Sequence, residues 1–353
     1  MPVPQVTIDT NWMYNDIRTV IIENEKLRVV VMPDLGAKIW QITFKPRGKD
    51  FLWQHPRMKP LKVGLHTNYD DHFFGGWDEL YPNDIAESIN DEMLPDHGEI
   101  WTLQWQYAIE RADEEAVTLH MWVETPITAS RLSKRITLRA GEAKLRFQHT
   151  ITNLGRKPQP YLWKLHAAMA VDEHSRIDLP AHNMTVEGFG SPRTGKTSFT
   201  YEWPYAEDNQ GQKHDMRKTL SSESGVSEFQ YATDMMAGWC ALTHTREGIG
   251  FGLSYDNEVL PSCWLFASYG GWRELQTVVL EPCTGYPVGL QDGVNRGTHQ
   301  ILEPGETVSC SIVASIYEGL TAVDNIDADG EVTGSAFVPT EIHGKLTNHR
   351  VAE

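Results

Sequence analysis

Two stretches of this sequence place acid–base side chains in a strand context. Glu281 closes the apolar run Val278-Val279-Leu280 and precedes Pro282, which sets a carboxylate at a strand end. A carboxylate entering a cleft there is partly desolvated, and desolvation raises its pKa toward the range useful for a general base. Taken alone, it serves equally well as a turn or capping carboxylate. His166 lies within Tyr161-Leu162-Trp163-Lys164-Leu165-His166-Ala167-Ala168. Side-chain alternation puts Lys164, His166 and Ala168 on one face and Trp163 and Leu165 on the other. A lone histidine in a β core is more often a satisfied structural group than a catalyst, so His166 needs partners to count. His97 sits in Pro95-Asp96-His97-Gly98-Glu99, just before an aromatic run. Asp70-Asp71-His72 and Asp78-Glu79 offer oxygen and nitrogen donors, but they lack a fixed spacing such as H-E-x-x-H, and no metal is assigned to them.

The elements that must position these groups are short and β-rich. Residues 19–22, Leu27–Met32 and Lys38–Phe44 are rich in Val, Ile and Thr. Residues 101–109 alternate Trp101, Leu103, Trp105, Tyr107 and Ile109 with mostly polar neighbours, which predicts a half-buried strand. Ala116–Glu124, 135–139 and Lys144–Asn153 continue the pattern, as do 161–171, 248–255, 263–268, 275–280 and 308–317. Helical periodicity is almost absent. Residues 57–96 are rich in Gly, Asp, His and aromatics and read as a functional loop system. Residues 204–225 read as an exposed polar excursion. The expected architecture is all-β, a single large sandwich domain over residues 1–320, with 321–353 as a peripheral acidic and polar tail.

Composition narrows the function. The chain has 353 residues, 31 Lys+Arg against 48 Asp+Glu, and a formal charge of −17. Without a basic block, that balance argues against nucleic acid or an anionic membrane as partner. No apolar stretch reaches the length of a membrane span. The N-terminus Met1-Pro2-Val3-Pro4 shows no secretory pattern, and a cytoplasmic setting is expected. Cys240, Cys263, Cys283 and Cys310 are scattered, without CxxC spacing, and read as reduced buried thiols. There is no phosphate-binding Gly loop and no serine nucleophile elbow. The 12 Trp exceed the about 4–5 that ordinary usage gives, consistent with a large β core or with stacking platforms for sugar rings.

Assembled in order, these segments resemble the aldose 1-epimerases (galactose mutarotases). The likeness rests on Leu27–Met32 followed by Pro33-Asp34-Leu35-Gly36-Ala37-Lys38-Ile39 and Leu52-Trp53, and on His97-Gly98 before an aromatic stretch. It rests too on His166 soon after Asn153-Leu154-Gly155, and on Leu280-Glu281-Pro282 followed by Leu302-Glu303-Pro304-Gly305-Glu306. The resemblance spans residues about 18–317 and implies a β-supersandwich with a sugar site across one sheet. It also implies Glu281 as catalytic base, His166 as acid and His97 as a second substrate-facing histidine, with no metal or organic cofactor. Trp101 stands where some relatives carry an Arg four residues after the His. The string Phe74-Gly75-Gly76-Trp77-Asp78-Glu79-Leu80-Tyr81-Pro82 replaces a familiar Arg contact, marking a divergent branch.

The reading is therefore an enzyme that interconverts the anomers of a monosaccharide. Glu281 and His166 carry the chemistry, and His97, Trp77, Asp78, Trp101, Lys164 and Trp272 bind substrate, with Trp77 and Trp101 as pocket walls and Trp163 in the core. Lys164 lies about 7 Å along the strand from His166 and suits an acidic or otherwise modified sugar, unless it partners Glu281 or Asp172. The expected partner is a small-molecule sugar, and a homo-oligomer is allowed. The alternatives are another proton-transfer reaction on a sugar, such as isomerisation or β-elimination, and a non-catalytic carbohydrate-binding protein.

Overall fold

The computed structural model describes residues 5–338. Two antiparallel sheets face one another. The larger has twelve strands, the smaller eight. At the centre of the larger sheet lie β1 (Lys38–Phe44), β2 (Trp77–Leu80), β3 (Lys164–Met169), β4 (Val226–Ala232), β5 (Ser262–Tyr269) and β6 (Gln276–Cys283). Their spatial order is β1-β2-β3-β6-β5-β4. The smaller sheet is built around Ser130–Arg139, Lys144–Asn153, Ile249–Tyr255 and Thr307–Glu318. No described helix is long and apolar enough to cross a membrane.

Alternation explains the layering. Leu165 and Ala167 of β3, Trp77 of β2 and Leu280 of β6 point into the space between the sheets, where they meet Phe147, Ile136, Phe251 and Ile312 in the main core. Trp77 lies 5.1 Å, ring centre to ring centre, from Phe147. The residues between them, Asp78, Lys164, His166 and Glu281, project from the opposite face. That face is capped by residues 53–75 and 95–101 and by the turn before β6, whose Trp53, Tyr69, Phe73, Trp101 and Leu275 make a second cluster over Leu80, Ala168 and Val279.

Several strands have the bounds read from sequence, among them Leu27–Met32, Lys38–Phe44, Ala116–Glu124 and Lys144–Asn153. Three expectations need correction. The strand near 101–109 begins only at Gln106, as part of the exposed edge strand Gln106–Ala112. Trp101 and Trp105 share no strand face, because Trp101 joins the cleft-side cluster while Trp105 enters the inter-sheet core. Their alternation comes from loop anchoring: the Trp105 amide donates to the Pro33 carbonyl and the Gly36 amide to that of Leu103. Second, the loop system at 57–96 contains β2, a four-residue strand in the middle of the sheet and buried throughout. Third, the strand expected at 135–139 starts at Ser130, with Lys134 buried in its alternating inner row. A buried lysine hides a strand from a hydrophobic pattern.

The stretch after residue 320 opens with a hairpin, Leu320–Ile326 and Val332–Ala336. Its Val323 and Ile326 pack on Trp239, Ala241 and Tyr317 of the smaller sheet. The remainder of the expected tail, residues 339–353, lies outside the described residues.

Candidate active site

The register of the larger sheet assembles the site. Ile39 pairs with Trp77, and His166 pairs with Asp78. The pairing of Lys164 with Cys283 and Ala167 with Leu280 sets His166 opposite Glu281. Glu281 in turn pairs with Trp264. Lys38, Asp78, His166, Glu281 and Trp264 therefore form one row across β1, β2, β3, β6 and β5. Cross-strand neighbours on one face stand about 5 Å apart at the Cβ, within reach of a single small ligand.

His166 and Glu281 of this row line a cavity of about 320 Å³, at the lower end of the size range for small-molecule sites. Its lining combines the polar groups Asp70, Asp84, His97, Lys164, His166, Glu187 and Glu281 with the apolar side chains Phe73, Phe229, Phe266, Trp272 and Val279. Trp272 packs edge-on to Phe266 at 5.4 Å. A cavity lined by both polar and aromatic groups fits a pyranose, which presents hydroxyls at its rim and C–H groups on its face.

The charges are tightly arranged. Lys164 Nζ lies 2.5 Å from Asp84 Oδ1 and 2.7 Å from Glu281 Oε2, all three groups buried. Its ammonium also sits 4.3 Å above the Trp264 ring. Both contacts are at the distance of charge-assisted ion pairs, and Lys164 is shared between the two carboxylates. Burial opposes the Lys164 charge, but Asp84 and Glu281 outweigh it and raise its pKa. Burial raises the Glu281 pKa above its ordinary 4.5, with Lys164 pulling the other way. Glu281 is thus an ionisable base kept from full stabilisation of its charge.

His166 receives a second-layer chain. Lys38 Nζ contacts Asp78 Oδ2 at 2.5 Å, the Tyr69 hydroxyl donates to Asp78 Oδ2 at 2.8 Å, and Tyr69 Oη lies 3.1 Å from His166 Nδ1. Burial, then Lys164, His97 and Lys38, hold His166 well below the usual histidine range. These surroundings favour its neutral form. His97 differs. Its Nδ1 lies 2.9 Å from Asp96 Oδ1, its Nε2 3.6 Å from Asp84 Oδ1, and its ring stacks on Tyr69 at 4.1 Å. Burial disfavours its charge, but Asp84 and Asp96 prevail and raise its pKa above 6.5. His97 has φ 58° and is followed by Gly98 at φ 74°, where a Cβ would fall 2.2 Å from the Tyr81 carbonyl oxygen. The glycine lets the chain turn His97 over the cleft.

Of the residues singled out from sequence, Glu281, His166, His97, Lys164 and Trp272 line this cavity. Trp77 does not; it belongs to the inter-sheet core because it sits on the other face of β2. Trp101 is no wall either, since it stands edge-on behind Tyr69 at 4.9 Å. Asp78 acts one layer back, through Tyr69. Lys164 is no free cation for an acidic sugar, because its ammonium is shared by Asp84 and Glu281, the first of the two partners considered for it. Sequence reasoning missed Tyr69, Asp84 and Lys38. Lys38 left one signal, a lysine opening a strand rich in Ile, Trp and Phe, whereas Tyr69 and Asp84 arrive from loops.

The architecture defines a class, the galactose mutarotase-like β-sandwich. Solved structures share it: the Slr1438 protein of Synechocystis sp. PCC 6803 (16% identity, 88% of this chain and 99% of that one, TM-score 0.62), a galactose mutarotase related enzyme of Lactobacillus acidophilus (12%, 85% and 97%, 0.59) and a galactose mutarotase-like protein of Clostridium acetobutylicum (10%, 89% and 98%, 0.60). At such identities the likeness is one of fold. Within that class, the chain belongs to the DUF4432 family, a domain of unknown function, whose model matches residues 15–316.

Proposed function

We propose that this protein is an aldose 1-epimerase-like enzyme that interconverts the anomers of a monosaccharide. The observation that carries the reading is the meeting of Glu281 with two histidines in one cavity that aromatic side chains also line. In the reaction, Glu281 takes the proton of the C1 hydroxyl, the C1–O1 bond becomes a carbonyl, and the C1–ring-oxygen bond breaks. A histidine of the cleft protonates the leaving ring oxygen. Rotation about C1–C2 and reclosure on the other carbonyl face give the second anomer. Both transfers need donor and acceptor within hydrogen-bond reach of one ring edge.

The paired state of Lys164 favours a neutral sugar. Asp70, Asp84 and Glu187 also line the cavity and disfavour an anion. A freshly dissolved pure anomer, followed by polarimetry or NMR, equilibrates faster with the protein than in buffer if the reading holds; binding without acceleration marks a carbohydrate-binding protein instead. Isomerisation or β-elimination draws on the two proton acceptors side by side, Glu281 and neutral His166, and an isomerised or vinylic product would identify it.

A further inference from the structure

The two histidines of the cleft share one neighbour, Tyr69, whose ring stacks on His97 and whose hydroxyl reaches His166. That hydroxyl has a single proton and two neighbours within hydrogen-bond distance. Asp78 Oδ2, held by Lys38, can only accept. The tyrosine proton therefore goes to Asp78, and Tyr69 Oη is left as an acceptor that only an Nδ1–H of His166 satisfies. Nε2 of His166 has no protein hydrogen-bond partner among the described residues, and the ring lines the cavity.

We propose that His97 is the proton donor of this site, and that the Lys38–Asp78–Tyr69 chain fixes His166 as the Nδ1–H tautomer, presenting a bare Nε2 to a substrate hydroxyl. The assignment of a chemical role rests on the anomer-interconversion reading; the protonation states stand without it. His166 is faced by Lys164 on its own strand, Lys38 and Asp78 across the sheet, Glu281 on β6, and Tyr69 and His97 from the loops above. Asp78 is committed to Lys38 and Glu281 to Lys164, so neither carboxylate is left to pair with a second proton on His166, which burial and the nearby Lys164, His97 and Lys38 oppose. His97 is faced by Asp96 beside it, Asp84 and Asp70 from neighbouring loops, Glu281 and Lys164 from the sheet. Asp96 is itself fixed by the Tyr69 amide at 2.8 Å. Two titratable groups driven apart by their surroundings mark donor and acceptor. The ring centres are 6.3 Å apart, so one sugar can touch both.

The step balances. Glu281 gains the O1 proton, the C1–O5 electron pair moves to O5, and O5 takes the Nε2 proton of His97, which becomes neutral. After rotation, O5 adds back to C1 while its proton returns to His97 and Glu281 returns its proton to O1. His166 is a positioning acceptor throughout.

The test is long-range ¹H–¹⁵N correlation on the full chain labelled at histidine nitrogen, with His97→Gln and His166→Gln used to assign signals. The expected result is His166 as the neutral Nδ1–H form from about pH 5 to 8, the range in which free histidine titrates, and His97 doubly protonated at about pH 6. Tyr69→Phe should release His166 into a mixture of tautomers. A proton on Nε2 of His166, an imidazolium there, or a neutral His97 at about pH 6 overturns the proposal; an unchanged tautomer in Tyr69→Phe overturns the role of the chain. In kinetics, His97→Gln should lose about 10²–10⁴-fold in kcat, together with the alkaline limb of the profile. His166→Gln should mainly raise KM, by up to about tenfold, the worth of one hydrogen bond. The reverse pattern also overturns it. If the wild-type chain does not accelerate anomer equilibration, the functional reading fails, while the nitrogen spectra still decide the protonation states.

Discussion

Asp78 and Glu79 are neighbours in sequence and face opposite sides of the same strand, each inside a cluster of lysine, histidine and aromatic donor. On the core side, Glu79 Oε1 accepts from Lys134 Nζ at 2.8 Å, His149 Nε2 lies 3.0 Å from the same oxygen, and Trp163 Nε1 donates to Oε2 at 3.2 Å. Every member is sealed between the sheets. On the cleft side, Asp78 holds Lys38 and Tyr69 through Oδ2, its Oδ1 has no partner among the described residues, and His166 keeps a nitrogen toward the cavity. The residue types are almost the same, yet only one cluster can meet a ligand. A charged triad in a β-sandwich is thus no sign of catalysis by itself; unspent hydrogen-bonding capacity beside a cavity is the better sign.

The comparison can be broken in four ways. Glu281→Gln should cost about 10²–10⁴-fold in anomer equilibration while a neutral sugar still binds, measured by polarimetry beside calorimetric titration. Retained activity would remove the cleft cluster from the chemistry. Glu79→Gln breaks a buried ion pair and should lower stability by about 3–5 kcal/mol in urea unfolding, with kcat per folded molecule unchanged. A selective loss of kcat would erase the distinction between the two clusters.

Acid separates them on one sample. Burial opposes the Glu79 charge, but His149 and Lys134 hold its carboxyl far below the usual range. A depressed folded-state pKa gives stability that is present above the unfolded value near 4.5 and is lost only as pH falls toward the folded one. Glu281 is shifted upward, so its base form disappears at a pH where Glu79 is still ionised. Activity should therefore fall on acidification before circular dichroism reports unfolding; coincident losses would contradict the assignment. The smallest effect is expected at the wall. Trp272→Ala should raise KM several-fold, in line with about 1 kcal/mol for an aromatic contact, and change kcat less.

Legibility from sequence followed local geometry. Leu27–Met32, Lys38–Phe44, Ala116–Glu124 and Lys144–Asn153 have the bounds that the sequence pattern indicates, and alternation puts Lys164 and His166 on one face, whereas the alternation at 101–109 reflects loop anchoring. Glu281 was legible because an apolar run ends on it. The sorting of Asp78 from Glu79 was not, because β2 is four residues long, follows Gly75-Gly76, and is buried on both faces, so no hydrophobic contrast marks its sides. Trp77 was misplaced for the same reason. Tyr69 and Asp84 reach the cavity through loops whose paths depend on the finished sheet. The pairing of Lys164 with Asp84 as well as Glu281 followed from that same loop placement.

The row Lys38–Asp78–His166–Glu281 collects its members from residue 38 to residue 281, one from each of four adjacent strands. Closing such distant pairings is the slow part of folding a β protein, and no fragment shorter than residues 38–281 contains all four side chains. Return of activity after dilution from denaturant should therefore trail the return of strand signal and finish with the last β3–β6 pairing. On the proposed function, anomer equilibration would serve as a clock for the completion of the sheet.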